Sequence, residues 1–212
     1  MIKALILDLD GVICDTAHFH YIAWKRLAAE YDYELSEADN EALKGVSRVD
    51  SLIRILQWAK KEISPEQFEQ DLLRKNAWYL DMVEEMGPND LLPGVGTFVE
   101  TAQKLQIPLA LGSASKNART VLNKVGLIQA FQAIVDASQI SRGKPDPETF
   151  TTAAKLLGFG PNECIVFEDS LAGIQAALSG GMRAIGIGSS SDLPGAELHI
   201  NNLGEYNFAD FQ

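Results

Sequence analysis

Apolar and polar positions follow two different rhythms along this chain. Ile2 to Leu7 is an apolar run broken only by Lys3, the pattern of a short strand buried on both faces. It ends on two aspartates, Asp8 and Asp10, followed by Gly11. From Thr16 to about Met86 the rhythm becomes helical. Phe19, Ala23 and Leu27, with Ile22 and Trp24 nearby, share one side of "HFHYIAWKRLAAEY". Val49, Leu52, Ile53 and Leu56 do the same in "SRVDSLIRILQWAKK". A further helix is predicted over "SPEQFEQDLLRKNAWYLDMVEEM", with Ser64 as N-cap and Pro65 at the first helical position. Trp24, Trp58 and Trp78 fall at apolar helical positions and read as packing residues. Gly87, Pro88, Pro93 and Gly94 then break the pattern.

Beyond that break, strand and helix signals alternate. Strands are predicted in "PLALGS", "FQAIVDAS", "ECIVFEDS" and "RAIGIGS", with a last short one in "LHINNL". Helices are predicted in "KNARTVLNKVG", "PDPETFTTAAKLLG" and "LAGIQAALSGG". Such alternation implies a parallel sheet covered by helices. The predicted fold class is therefore α/β, a Rossmann-like parallel-sheet core made of residues 1–15 and 90–212. An α-helical cap of residues 16–88 is inserted after the first strand.

Composition adds two constraints. The formal charge of -11 argues against nucleic acid or an anionic membrane as the partner. It also requires any anionic substrate to be met by locally concentrated positive charge. No segment approaches a membrane span, and the short N-terminal apolar run contains Asp8 and Asp10, unlike a signal peptide. A cytoplasmic monomer is the simplest expectation. Cys14 and Cys164 carry no paired spacing and read as small buried residues.

In open α/β sheets, ligands bind beyond the carboxyl ends of the strands. The polar residues at or after those ends are Asp8, Asp10, Ser113, Lys144, Glu168 and Asp169. Four clustered carboxylates repel one another unless a cation sits among them, and a hard ion such as Mg²⁺ suits oxygen ligands. An aspartate beside Mg²⁺ and a lysine can attack phosphorus. A second aspartate can protonate the leaving oxygen and later take the proton of the incoming hydroxyl. The Asp-x-Asp spacing alone is met more simply by a solvated acidic turn.

Four stretches in order change that weighting. "DLDGV" (8–12), "LGSAS" (111–115), "GKPDPETF" (143–150) and "FEDSLAGIQAA" (167–177) resemble the four motifs of the haloacid dehalogenase superfamily of phosphotransferases. The helical insertion is similar to that family's mobile cap. "LKGVSRVDSL" (43–52), "SASKN" (113–117), "DTAHFHYIAWKRLA" (15–28) and "RKN" (74–76) resemble its sugar-phosphate mutase branch.

The resemblance implies an isomerase that interconverts β-D-glucose 1-phosphate and D-glucose 6-phosphate. The route would run through a phospho-aspartate and β-glucose 1,6-bisphosphate, the priming intermediate. The alternative is a sugar-phosphate phosphatase of the same superfamily. Asp8 would be the nucleophile and Asp10 the general acid and base. Mg²⁺ would be held by Asp8, the backbone carbonyl of Asp10, Glu168 and Asp169. Ser113, Ala114 and Lys144 would bind the transferring phosphate; Arg48, Ser115, Lys116 and Asn117 would clamp the other. His20 would touch Asp10 and tie it to cap closure. Lys44, Gly45, Val46 and Ser51 would line the sugar side, with Thr16 near the hinge and Lys75 reaching in from the cap. Cys14, where the pattern has threonine, Gly112, where alanine is common, and Arg142–Gly143 depart from it without removing a chemical group.

Overall fold

The computed structural model describes residues 1–211. Six parallel strands form one sheet in the order β3-β2-β1-β4-β5-β6. They are β1 (Ala4–Leu7), β2 (Leu109–Gly112), β3 (Ala133–Val135), β4 (Cys164–Glu168), β5 (Arg183–Ile187) and β6 (Leu198–Ile200). The strands β1, β2 and β4 are buried along their whole length, which is why they read as continuous apolar runs rather than alternating ones. The two faces of β1 still feed different layers. Leu5 and Leu7 join one apolar cluster, with Phe98, Val121 and Phe167. Ala4 and Ile6 join the other, with Phe150, Ala153 and Ile174.

Between β1 and β2 the chain forms five helices: α1 (Thr16–Ala29), α2 (Glu37–Leu43), α3 (Arg48–Ala59), α4 (Pro65–Glu84) and α5 (Val95–Lys104). Later come α6 (Ala118–Lys124), α7 (Glu148–Leu157) and α8 (Leu171–Ser179). Trp24, Leu27, Leu35, Leu43, Leu52, Ile55, Leu56 and Leu72 form a third apolar cluster supplied by α1 to α4 and the turn before α2. Trp58 and Trp78 pack against it. The longest of these helices, α4, belongs to two layers. Leu72 lies in the third cluster, whereas Tyr79 and Val83 lie in the cluster beneath the sheet.

Two helices were not anticipated from the sequence. The start of α2 is a capping box, in which the Asp39 amide donates to Ser36 Oγ at 3.1 Å and the Ser36 amide to Asp39 Oδ2 at 2.9 Å. In α5, buried Val95, Phe98, Val99 and Ala102 have ordinary helical spacing behind the Pro-Gly break. The buried face of α3 is also rotated from the expected one. Leu52, Ile55 and Leu56 are buried, while Val49 and Ile53 remain 44% and 40% exposed, Val49 facing the large cavity described below. Among the described residues no helix is long and apolar enough to cross a membrane.

Candidate active site

The site begins where the central strand ends. Leu7 is level with Leu111 on one side and Phe167 on the other, so Asp8, Ser113 and Glu168 leave the sheet close together. The Asp8 amide still donates to the Phe167 carbonyl, at 3.0 Å, and that of Ser113 to Val135, at 2.9 Å. These strands flank the point at which connections switch direction across the sheet, the place where open α/β folds form a crevice.

Two glycines make room for the acids. Gly11 has φ +81°, and a Cβ there would overlap the Asp169 carboxylate. A Cβ on Gly173, in the first turn of α8, would overlap Glu168. Ser170 holds Glu168 in place: its amide and hydroxyl donate to Oε2 at 2.7 and 2.9 Å. Its Oγ also caps α8 by accepting from the Gly173 amide at 3.1 Å. Carboxylate oxygens of Asp8, Glu168 and Asp169 lie within 4.8 Å of one another.

Lys144 is the cation built into this cluster. Its Nζ donates to Asp8 Oδ1 at 2.6 Å and Glu168 Oε1 at 2.5 Å, with its side chain fully buried. Burial works against its charge, yet Asp8 and Glu168 hold its pKa above the lysine range. Burial pushes Asp8 up to about 7, with Glu168 and Asp10 adding to the rise and Lys144 opposing it. Asp169 is raised well above the carboxylate range by burial, then by Glu168 and Asp8. One lysine cannot neutralise three acids. The surplus negative charge and an all-oxygen donor set fit a hard divalent cation.

Asp10 has different neighbours. Its Oδ1 accepts the Thr16 hydroxyl, and burial raises its pKa. His20 Nε2 stands 4.0 Å from the same oxygen, beyond hydrogen-bond reach. On its other side, His20 Nδ1 is 2.5 Å from Lys75 Nζ. Lys75 is 1% exposed and lies over the rings of Trp24 and Tyr79, 4.5 and 5.3 Å from their centroids. Burial, then Arg48, lowers the pKa of Lys75; burial, then Lys75, lowers that of His20. A neutral imidazole follows, accepting from Lys75 at Nδ1 and directing its Nε2 hydrogen toward Asp10.

A cavity of about 510 Å³ lies between these groups and the helical layer, a size suited to a small ligand. Asp8, Asp10 and Asp169 line one part of it. Lys44, Gly45, Val46, Arg48 and Ser51 enter from the α2–α3 loop and α3, His20 and Lys75 from α1 and α4, and Ala114, Ser115 and Lys116 from the loop after β2. Thr16, Ser113, Asn117, Lys144 and Glu168 stand behind this lining, each within the hydrogen-bonded shell. Ser113 Oγ accepts the Ser115 amide at 3.0 Å, and Ser115 Oγ accepts the Asn117 amide at 3.2 Å. Lys44 pairs with Glu41 at 2.9 Å. Among the described residues Arg48 has no carboxylate partner, so its charge is available to a ligand.

Several residues of the site were missed from sequence. Ser170 was legible as the N-cap before "LAGIQAA". Tyr79 stacks on His20 with centroids 4.1 Å apart and lies four residues after Lys75, a helical neighbour that the spacing could have suggested. Asn76 accepts from Asn117 Nδ2 at 2.7 Å across 41 positions, which no local pattern could disclose.

Comparison with known proteins agrees with this geometry. A family model described as haloacid dehalogenase-like hydrolase matches residues 2–181. A β-phosphoglucomutase of Bacillus subtilis is 41% identical over 205 residues, covering 96% of this chain and 91% of that protein. A fructose-1-phosphate phosphatase of Escherichia coli is 30% identical over 184 residues, covering 86% and 95%. The crystal structure of a β-phosphoglucomutase from Clostridium difficile superposes with a TM-score of 0.96 at 40% identity. That superposition covers 100% of this chain and 96% of the other.

Proposed function

The chain belongs to the haloacid dehalogenase-like hydrolase family, and from that premise we infer that it is an isomerase, converting β-D-glucose 1-phosphate to D-glucose 6-phosphate as a β-phosphoglucomutase does. The observation that carries this reading is a single cavity with anion-binding groups in two places. Lys144 backs Asp8, which lines the cavity from the core, and Arg48 lines it from the cap with Ser115 and Lys116 from the loop after β2. A phosphatase needs one phosphate site. A mutase working through a bisphosphate needs two with a sugar between them.

We assign Asp8 as the nucleophile. Lys144 is bonded to its Oδ1 and supplies positive charge where a phosphoryl group must approach. Mg²⁺, held by Asp8, Glu168, Asp169 and the Asp10 backbone carbonyl, would neutralise charge on that group during transfer. Asp10 carries protons. In the first half of the cycle the phosphoryl on Asp8 passes to the 6-hydroxyl of β-glucose 1-phosphate, and Asp10 takes that hydroxyl's proton. The product is β-glucose 1,6-bisphosphate. With the bisphosphate inverted, Asp8 accepts the phosphoryl from O1, the phosphorus–O1 bond breaks, and Asp10 returns the proton to O1. Glucose 6-phosphate leaves and phospho-Asp8 is restored.

Arg48, Ser115, Lys116 and Asn117 hold the phosphate that is not reacting. Lys44, Gly45, Val46 and Ser51 contact the sugar, and Lys75 and His20 keep the Thr16-bonded Asp10 facing it. Gly45 has φ +70°, and a Cβ there would lie 2.9 Å from Ser170 Oγ, so the cap loop rests directly on the core beside Lys144. Residues 16–88 thus form a cap whose closure shields phospho-Asp8 from water.

Arg48→Ala tests the second phosphate site. Glucose 6-phosphate formation should fall by about tenfold or more, the loss of one charge-assisted contact, while hydrolysis of a small phosphate ester falls far less. Equal losses in both reactions would place Arg48 outside that site and favour the phosphatase reading.

A further inference from the structure

Helix α4 meets the site at more than one point. Lys75, Asn76 and Tyr79 lie within one turn or so of each other, and Lys75 reaches His20. Asn76 Oδ1 accepts one Nδ2 hydrogen of Asn117 at 2.7 Å. That bond fixes the Asn117 amide and leaves its second Nδ2 hydrogen for a ligand. Tyr79 is fully buried with its ring stacked on His20, and its hydroxyl makes no hydrogen bond of normal geometry in this structure. The hydroxyls of Thr16 and Ser115 lie beside it, its nearest candidate partners.

An orphaned buried hydroxyl is unfavourable, and phenylalanine would serve the same stacking and packing without it. The hydroxyl therefore has its partner in another state of the site. Ser115 supplies that state. Its Oγ already accepts the Asn117 amide at 3.2 Å, which leaves one lone pair and one proton. When that proton is donated to an anion, the remaining lone pair turns to a donor from the protein. The Tyr79 hydroxyl beside it is such a donor.

We propose that Asn76 and Tyr79 of α4 are positioning residues for the second phosphate, Asn76 by fixing the Asn117 amide and Tyr79 by backing the Ser115 hydroxyl. This rests on the reading that Ser115 and Asn117 hold that phosphate. The core loop "SASKN" is then only part of an anion site, completed by a helix of the cap. Farther along, Glu84 of α4 accepts from Lys124 of α6 at 2.7 Å, a contact that seats the helix on the core without touching Ser115 or Asn117.

The test uses the full chain with Mg²⁺ and saturating β-glucose 1,6-bisphosphate. Asn76→Ala and Tyr79→Phe should each raise KM for β-glucose 1-phosphate by roughly threefold to tenfold, the worth of one neutral hydrogen bond, with kcat within about twofold. Thermal stability of Tyr79→Phe should be unchanged or higher. Lys124→Ala, which loosens the same helix elsewhere, should leave KM unchanged. Unchanged KM in Asn76→Ala and Tyr79→Phe would overturn the proposal, as would a fall in kcat at constant KM. If the unaltered protein forms no glucose 6-phosphate, the mutase reading itself has failed, which is a different result from a working enzyme whose variants keep their KM.

Discussion

Asp8 and Asp10 are two positions apart, yet they meet different chemistry. Asp8 shares Lys144 with Glu168, whereas Asp10 receives Thr16 and faces His20. Their separation by one residue after a strand end lets one carboxylate join the acidic cluster with Glu168 and Asp169 while the other turns toward the cap. Asp8→Asn, which keeps the shape and removes the proposed nucleophile, should lower turnover by on the order of 10³-fold or more in a steady-state assay. Asp10→Ala should cost about 10² to 10⁴-fold, the usual worth of a positioned acid and base, and more for a sugar acceptor than for a substrate with an acidic leaving group. A turnover near that of the unaltered protein in either variant would reject the corresponding role. At this scale the sequence was informative because each chemical group is a named side chain in a recurring motif. Asn76 was not legible as a site residue, since its partner, Asn117, lies on another element 41 positions away.

Helix α4 carries a buried acid, Asp71, at its junction with the end of α1. Buried Asp71 accepts from the Tyr31 hydroxyl, from Gln67 Nε2 at 2.8 Å and from Arg74 Nη2, joining α4 to the end of α1. Burial opposes its charge, but those three donors hold its pKa below the usual carboxylate value of 3.8. A folded pKa below the unfolded one means that the charged form adds stability above about pH 4, lost as pH falls through the lower folded value. Asp71→Asn should therefore destabilise the protein by about 1–3 kcal/mol at neutral pH. The gap from the unaltered protein should begin to shrink below about pH 4 and close as pH falls through the lower folded value, where its Asp71 becomes protonated. Chemical denaturation at several pH values measures this, and a gap that widens in acid would contradict it. Element type was legible wherever periodicity ran for several turns, as in α1, α3 and α4. The α2 helix is a single capped stretch of 7 residues, too short for periodicity to reveal, and the buried face of α3 depends on where its neighbours lie. The α5 pattern was present in Val95, Phe98, Val99 and Ala102 but lay hidden behind the Pro-Gly break.

For the molecule as a whole, an overall charge of -11 coexists with a cavity that gathers Lys44, Arg48, Lys75 and Lys116 on its walls and Lys144 behind them. On the proposed reading, the chain would meet an anion with basic side chains on two layers that face each other, rather than with a basic surface. The layered fold was legible because alternating strands and helices admit few topologies, and the strand order puts β1 at the sheet's crevice. The pairing of the two layers was not, because each half of the cavity is an unremarkable loop until the other half is set against it. The claim that depends on this pairing is that the two phosphate sites serve isomerisation. The direct measurement supplies β-glucose 1-phosphate with Mg²⁺ and a trace of β-glucose 1,6-bisphosphate, and follows glucose 6-phosphate and free phosphate in the same tube. Glucose 6-phosphate accumulating without matching phosphate release is the predicted result. Phosphate release without the isomer would contradict it and make this cavity the site of a hydrolase.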